Sequence, residues 1–333
     1  MRLPRDHASS EMLTEITVVG DDDTGIITEV TAYLSEQAVN VEELDQAVQD
    51  GIFRMSLYAD TSEMTVSQAR LRDDLDGLGD DLDVDVQVWF PNRTETRSIA
   101  ILVTKESHCL EALLEKAGND DLGAEIGVVI GNHSDLEPLA TEHGVPFHDI
   151  GDEKGVPDED ELLHHLDNYD IDLLALARYI RILSPKVVFR YRNRIINVHP
   201  SLLPAFPGAS AYSQAIEKGV RIAGVTAHYV TTDLDQGPIL TQRAFNVPHD
   251  PTERELEERG QPLEAEALTD AIELHLDQGV SVHRGRTELR NPEETTTQLG
   301  IPERVERLNP DGPVDGHDRY VEGHVEKKAS ADS

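Results

Sequence analysis

The sequence predicts an α/β protein in two units. A ferredoxin-like βαββαβ unit is followed by an open, mainly parallel sheet flanked by helices. Three observations predict this. Between residues 13 and 90, apolar runs and helical periodicities alternate in the order strand, helix, strand, strand, helix, strand. From Ser98 onward, strand and helix patterns alternate one for one, which argues for a parallel sheet covered on both faces. The stretch 91–97 between them is short and polar and reads as a linker.

In the first unit, Leu13 to Val19 reads as a strand. The turn Gly20-Asp21-Asp22-Asp23-Thr24-Gly25 opens a helix whose apolar face carries Ile26, Ile27, Val30 and Leu34. Val39 to Val48 and Ile52 to Tyr58 are strands joined at Asp50-Gly51, a hairpin signal. Val66 to Leu78 is helical, and Leu82 to Phe90 alternates with Val84, Val86 and Val88 on one face. In the second unit, 98–290, strands are expected at Ile99 to Val103, Ala124 to Ile130, Asp172 to Ala177, Ile195 to Val198 and Val225 to Val230. Helices are expected at Ser107 to Ala117, from Leu136, and over 252–277, with a final short strand around Val280 to Leu289. Residues 291–333 combine low hydrophobicity with frequent Pro and Gly and read as a disordered acidic tail.

A chain of 333 residues can bury a substantial core. Its 65 acidic against 29 basic residues give a formal charge of −36, spread along the chain. That charge, with lysine scarce, points to a surface adapted to high salt, where screening removes self-repulsion. The same surface repels phosphate backbones and argues against nucleic-acid partners. Cys109 is the only cysteine, so no intrachain disulfide exists, and no Cys/His cluster has zinc-ligand spacing. There is no apolar signal core at the N-terminus, no run long enough to span a bilayer, and no dinucleotide fingerprint at Gly127 to Gly131. A cytoplasmic protein without a membrane partner is expected.

The chemistry concentrates in Asn197-Val198-His199-Pro200-Ser201-Leu202-Leu203-Pro204 and, downstream, His228 and Asp235-Gln236-Gly237-Pro238. Asn197 and His199 are two apart at the end of an apolar run, so both side chains leave the same face of a strand. Pro200 and Pro204 end regular pairing and force a loop. Asp235 follows a second apolar segment, and strand ends are where open α/β sheets place their chemistry.

This string with its spacing resembles the signature of the folate-dependent formyltransferase and hydrolase family. The resemblance covers roughly residues 14–290 and implies a formyltransferase-like (Rossmann-like) domain. It implies Asn197, His199 and Asp235 as the catalytic trio. His228, seven residues before Asp235, reads either as a support for that loop or as a core strand residue, Ser201 is a further supporting candidate, and no metal is expected. It identifies Leu176 to Pro185 with the family's folate-binding run, which makes Arg178, Ile180, Arg181, Ile182 and Leu183 candidate walls of the pterin slot. Thr231, Thr232 and Asp233 would supply backbone contacts to the pterin edge. The first unit, with its Asp-x-x-Gly-Ile turn, resembles an ACT domain. That resemblance implies an amino-acid effector near Asp22, Asp23, Thr24, Gly25 and Ile26, or a purely structural pairing module, and in either case a homo-oligomer.

An ACT-like unit ahead of the formyl domain is the arrangement of the formyltetrahydrofolate deformylase branch. The loop Thr104-Lys105-Glu106-Ser107-His108-Cys109 lacks the glycines that let backbone N–H groups wrap a phosphate, and it carries an acid in its middle. Both features point to water as the acceptor. The implied reaction is hydrolysis of 10-formyltetrahydrofolate to tetrahydrofolate and formate, with the folate as substrate and no tightly bound cofactor. Pro200-Ser201-Leu202-Leu203-Pro204 departs from that branch, which usually carries a second His at Pro200 and a Phe at Leu202. It keeps open a formyltransferase acting on glycinamide ribonucleotide. A third reading is a non-catalytic regulatory protein that binds folate and senses amino acids.

Overall fold

In a computed structural model, the described residues are 13–90, 96–283 and 285–289. The N-terminal unit contains β1 (Thr14–Asp21), α1 (Ile26–Glu36), β2 (Asn40–Gln49), β3 (Ile52–Asp60), α2 (Gln68–Leu82) and β4 (Val84–Trp89). Its four strands lie in the order β2-β3-β1-β4, with all neighbours antiparallel. This is the expected βαββαβ arrangement. Asp50 and Gly51 turn the β2–β3 hairpin with φ of 53° and 85°, the positive values a two-residue loop demands. Ile16, Val18, Met55, Leu57, Val86 and Val88 project from one sheet face onto Val30 and Leu34 of α1 and Leu71 and Leu75 of α2.

The second unit runs β5 (Ser98–Val103), α3 (His108–Gly118), β6 (Glu125–Gly131), α4 (Glu137–Glu142), β7 (Phe147–Asp149), α5 (Glu159–Asn168) and β8 (Leu173–Ala177). It continues with α6 (Pro185–Arg190), β9 (Ile195–His199), α7 (Ala211–Glu217), β10 (Ile222–Tyr229), β11 (Ile239–Asn246) and α8 (Glu253–Leu276). The chain then forms a hairpin of β12 (Val280–His283) and β13 (Arg286–Leu289), where the pattern predicts a single strand. The seven-stranded sheet has the order β11-β10-β9-β8-β5-β6-β7. It is parallel from β9 to β7, and β10 runs antiparallel to both its neighbours.

Two apolar layers sandwich this sheet. On one face, Cys109, Leu110 and Leu113 of α3 and Ala267, Leu268, Ala271 and Ile272 of α8 meet Ile101, Ile196 and Val198. On the other, Leu162 and Leu166 of α5 and Val187 and Val188 of α6 meet Leu102, Leu174 and Leu176. The capping box of Thr252 and Glu255 starts α8, satisfying N–H groups that a helix leaves open at its first turn.

The arginines at the end of α6 and the start of β9 meet the N-terminal unit. Arg194 pairs with Glu15 and stacks over Trp89, Arg190 lies 3.1 Å from Asp85, and Arg192 lies 3.0 Å from Asp45. No helix among the described residues is long and apolar enough to cross a membrane. The predicted tail, 291–333, and most of the predicted linker lie outside the described residues.

Candidate functional site

The strand alternation does what the spacing of Asn197 and His199 predicts. Ile196 and Val198 of β9, and Val225, Ala227 and Tyr229 of β10, enter the α3/α8 layer. Asn197, His199, Thr226 and His228 therefore share the opposite face. The register pairs His228 with Asn197 and Thr226 with His199, so the four polar side chains form a two-by-two patch across the strands. The loop after β10 brings Asp235 onto this patch. Its carboxylate lies 3.4 Å from His199 Nδ1 and 3.8 Å from His228 Nε2, and it accepts the Gly208 N–H at 2.7 Å.

Burial lowers the pKa of His228 below the ordinary imidazole value, against the opposing pull of the Tyr229 carbonyl and of Asp235. The ring is therefore neutral near pH 7. Nδ1, 2.8 Å from the Tyr229 carbonyl oxygen, must carry the hydrogen, because a carbonyl can only accept. Nε2 is then a lone pair, and Asn197 Nδ2 donates to it at 3.3 Å. One amide hydrogen of Asn197 is thus fixed on His228, and no described residue takes the other. His228, open to two readings in the sequence, sets the orientation of the Asn197 amide.

His199 is held on both sides. Nε2 lies 2.9 Å from the Phe206 carbonyl oxygen, and Nδ1 faces Asp235. Both partners are acceptors, so a proton passed from Nε2 to a bound molecule requires release of the Phe206 carbonyl. Phe206 (φ 55°) and Asp235 (φ 54°) both have left-handed backbone. For a bulky residue such as Phe206 that conformation is strained, and such strain gathers where surrounding contacts over-determine a site. Ser201 does not join the reacting groups. Its hydroxyl donates to the Ala205 carbonyl at 2.5 Å, while its own carbonyl accepts from Thr226, so it shapes the loop after β9.

The expected pterin-slot residues divide. Ile180 and Ile182 are 62% and 77% exposed, although large and apolar, and Leu234 beside Asp235 is 52% exposed. Leu183 is buried in the α5/α6 layer, and Arg181 donates to the Lys154 carbonyl at 3.1 Å. The guanidinium of Arg178 is bound to Glu106 through Nε at 3.0 Å and Nη2 at 2.8 Å, and it lies 3.4 Å from Glu264. Thr231 closes its own loop onto the Asp233 carbonyl, whose residue is exposed. Thr232 donates to Gln49 of β2 at 2.6 Å and so ties the loop after β10 to the N-terminal unit.

Sequence reasoning missed the second polar cluster around Glu264. This carboxylate, 1% exposed, accepts from Tyr212 at 2.8 Å and contacts His108 Nε2 at 3.1 Å and Arg178. Burial alone would raise its pKa, but His108, Arg178 and Tyr212 together hold it below the usual carboxylate value. Gly260 makes the contact sterically feasible, since a Cβ there would lie 1.7 Å from the Tyr212 hydroxyl. His108, Cys109 and Glu264 are close enough to hold a cation. The donors do not suit one, because burial pushes the Cys109 thiol well up and Glu264 is already engaged by three groups.

In the N-terminal unit, Asp22, Asp23, Thr24, Gly25 and Ile26 line a cleft of about 590 Å³ with Gln46, Ala47, Val48 and Phe53. The effector expectation therefore falls on an existing concavity between the β1–α1 turn and β2.

The formyl transferase family profile matches residues 97–272, and the ACT domain profile matches residues 15–89. The formyltetrahydrofolate deformylase of Bacillus subtilis is 36% identical over 271 residues, covering 80% of this chain and 90% of that protein. The chain belongs to the formyltetrahydrofolate deformylase family. A solved deformylase structure from Pseudomonas syringae pv. tomato superposes with a TM-score of 0.58 at 27% identity, covering 84% of this chain and 94% of that one. A glycinamide ribonucleotide transformylase from Symbiobacterium toebii gives a TM-score of 0.56 at 32% identity but covers only 60% of this chain, against 96% of its own. The likeness to deformylases thus extends over both units.

Proposed function

We propose that this deformylase-family chain hydrolyses 10-formyltetrahydrofolate to tetrahydrofolate and formate, with Asn197, His199 and Asp235 as the reacting groups. The observation that carries this reading is the Asn197 amide. One of its hydrogens is locked on neutral His228, and no described residue takes the other. Water attacks the formyl carbon, and negative charge develops on the formyl oxygen. The free N–H of Asn197 donates to that oxygen, which is where a fixed donor lowers the barrier. Asp235, steadied by the Gly208 N–H, orients the water and takes up its proton through the His199 pair. His199 returns a proton to the leaving nitrogen once Nε2 lets go of Phe206. No metal or tightly bound cofactor enters these steps.

Ile180, Ile182 and Leu234 offer apolar surface for the flat pterin, and the backbone of Thr231 to Asp233 offers its edge contacts. In the cell the products would serve one-carbon balance and formate supply to purine synthesis. The cleft at Asp22 to Ile26 would take an amino-acid effector, with the chain working as a soluble, cytoplasmic homo-oligomer. The charge of −36 would suit it to high salt. The experiment that tests the catalytic reading is formate release by purified His199→Ala and Asn197→Ala proteins of unchanged melting temperature. Near-complete loss is expected, and wild-type release by either variant would refute the assignment.

A further inference from the structure

The strand order places a switch point between β5 and β8. From β5 the chain moves outward to β6 and β7, then returns to β8 on the other side. In open sheets the crevice beyond the strand ends at such a point is where ligands enter. Here it is occupied by the protein's own ions. Thr104, at the end of β5, accepts the backbone N–H of Ile180 at 3.0 Å, which joins the β5 and β8 loops. Glu106 meets Arg178 in a two-point contact, Arg178 leans on Glu264, and Glu264 gathers His108 and Tyr212. Arg178 is fixed there with φ of 61°, an unusual backbone for an arginine.

Leu176 is in register with Asn197, so the strands that lead to Arg178 and His199 are neighbours that run parallel. A second substrate reaching the formyl group from this side must pass the β5 loop. An anionic one would be drawn by Arg178 and by the exposed ammonium of Lys105, but Glu106 already holds the Nε/Nη2 edge of the guanidinium in the two-point contact a phosphate would make. Buried Glu264 adds a second negative charge behind it.

We propose that Glu106 is a specificity-determining residue for the hydrolysis. It is an internal carboxylate that takes the Nε/Nη2 edge of Arg178 and keeps phosphate-bearing amine acceptors out of the crevice, so that water is left to take the formyl group. The proposal rests on the hydrolase reading above. Unlike the glycine-poor character of the loop, it assigns the exclusion to one side chain and its partner.

The test is calorimetric titration of inorganic phosphate into the full chain at constant ionic strength, using wild type, Glu106→Gln, Glu106→Asp and the double variant Glu106→Gln/Arg178→Gln. Wild type and Glu106→Asp should bind weakly or not at all. Glu106→Gln should bind at least about tenfold more tightly, because a like charge has been replaced by a neutral amide beside Arg178. The double variant should lose that gain. Glu106→Ser serves the same arm if Glu106→Gln fails to melt cooperatively. Equal binding by wild type and Glu106→Gln, or a gain that survives loss of Arg178, would overturn the proposal. Calorimetry needs no turnover, so a wild type that released no formate would sink the hydrolase reading while leaving the phosphate comparison readable. A wild type that hydrolyses and also binds phosphate tightly would do the reverse.

Discussion

Two polar clusters stand on adjacent strand ends of one sheet, and they are built to opposite ends. Around Glu264 and Glu106 the polar groups are engaged with one another, with Arg178, His108 and Tyr212 all committed to carboxylate oxygens. Around Asp235 the matching stops short. Asn197 keeps one N–H without a described partner, His228 is neutral, and His199 is held by a strained backbone carbonyl. A fully paired cluster fixes structure and shuts out ligands. A partly paired one leaves donors where charge develops during a reaction.

The sharpest way to break the contrast is on the paired side. Glu264→Gln removes a buried carboxylate that holds Arg178, His108 and Tyr212 and should cost about 1–3 kcal/mol of stability, read by denaturant unfolding. A loss under about 1 kcal/mol would mean the cluster behaves like an exposed ion pair. On the reacting side, Asn197→Ala should lower kcat by about 10²–10³ while leaving the unfolding midpoint nearly in place. A fall in stability with retained turnover would make Asn197 a structural residue. Replacing His228 with Gln should also lower kcat, by less, and should leave KM for the folate little changed, since His228 aims the amide without touching the substrate. A rise in KM with kcat intact would place it in the binding surface instead.

Acid should separate the clusters from bulk charge effects. Burial lowers the folded-state pKa of His228, and that of His275, under Tyr229, is lowered to about 3 by burial and by the charges of Arg194 and Arg97. Both rings stay neutral when folded, while the unfolded chain takes up protons below about 6.5. Stability from these groups is therefore complete above that pH and is lost progressively as pH falls through it. Melting temperatures from pH 8 to pH 5 at fixed salt should decline, and His275→Gln should flatten the decline. A flat wild-type profile would contradict the assignment. The smallest effect is expected at the tie between units. Thr232→Val, which deletes the hydrogen bond to Gln49, should cost about 1 kcal/mol.

The sequence made some of this legible and hid the rest for physical reasons. β9 and β10 announce themselves because their buried alternation leaves polar residues on one face, and the Asp50-Gly51 hairpin follows from turn chemistry. β7 is only Phe147–Asp149, too short to display a period, and β11 alternates between half-exposed polar and apolar residues. α5 is dominated by acids, and its start is marked only by the Asp158 cap. The antiparallel placement of β10 is a topological fact that no local pattern encodes. In the site, Asn197, His199 and Asp235 are readable as residue types at a spacing. The bond from Phe206 to His199 is a backbone interaction, and the pairing of Arg178 with Glu106 spans 72 positions, so neither leaves a local signal. Ile180 and Ile182 do have the exposed apolar character that a slot wall needs, which a local apolar run can signal, whereas the ion pairs of Arg178 cannot be read from it.

The most direct test of the central claim is formate release from 10-formyltetrahydrofolate by the purified chain in high salt, with and without glycinamide ribonucleotide. The account predicts formate in the absence of the ribonucleotide, at a rate the ribonucleotide does not change. Formyl loss that occurs only when the ribonucleotide is present, and ends up on its amine, would contradict it.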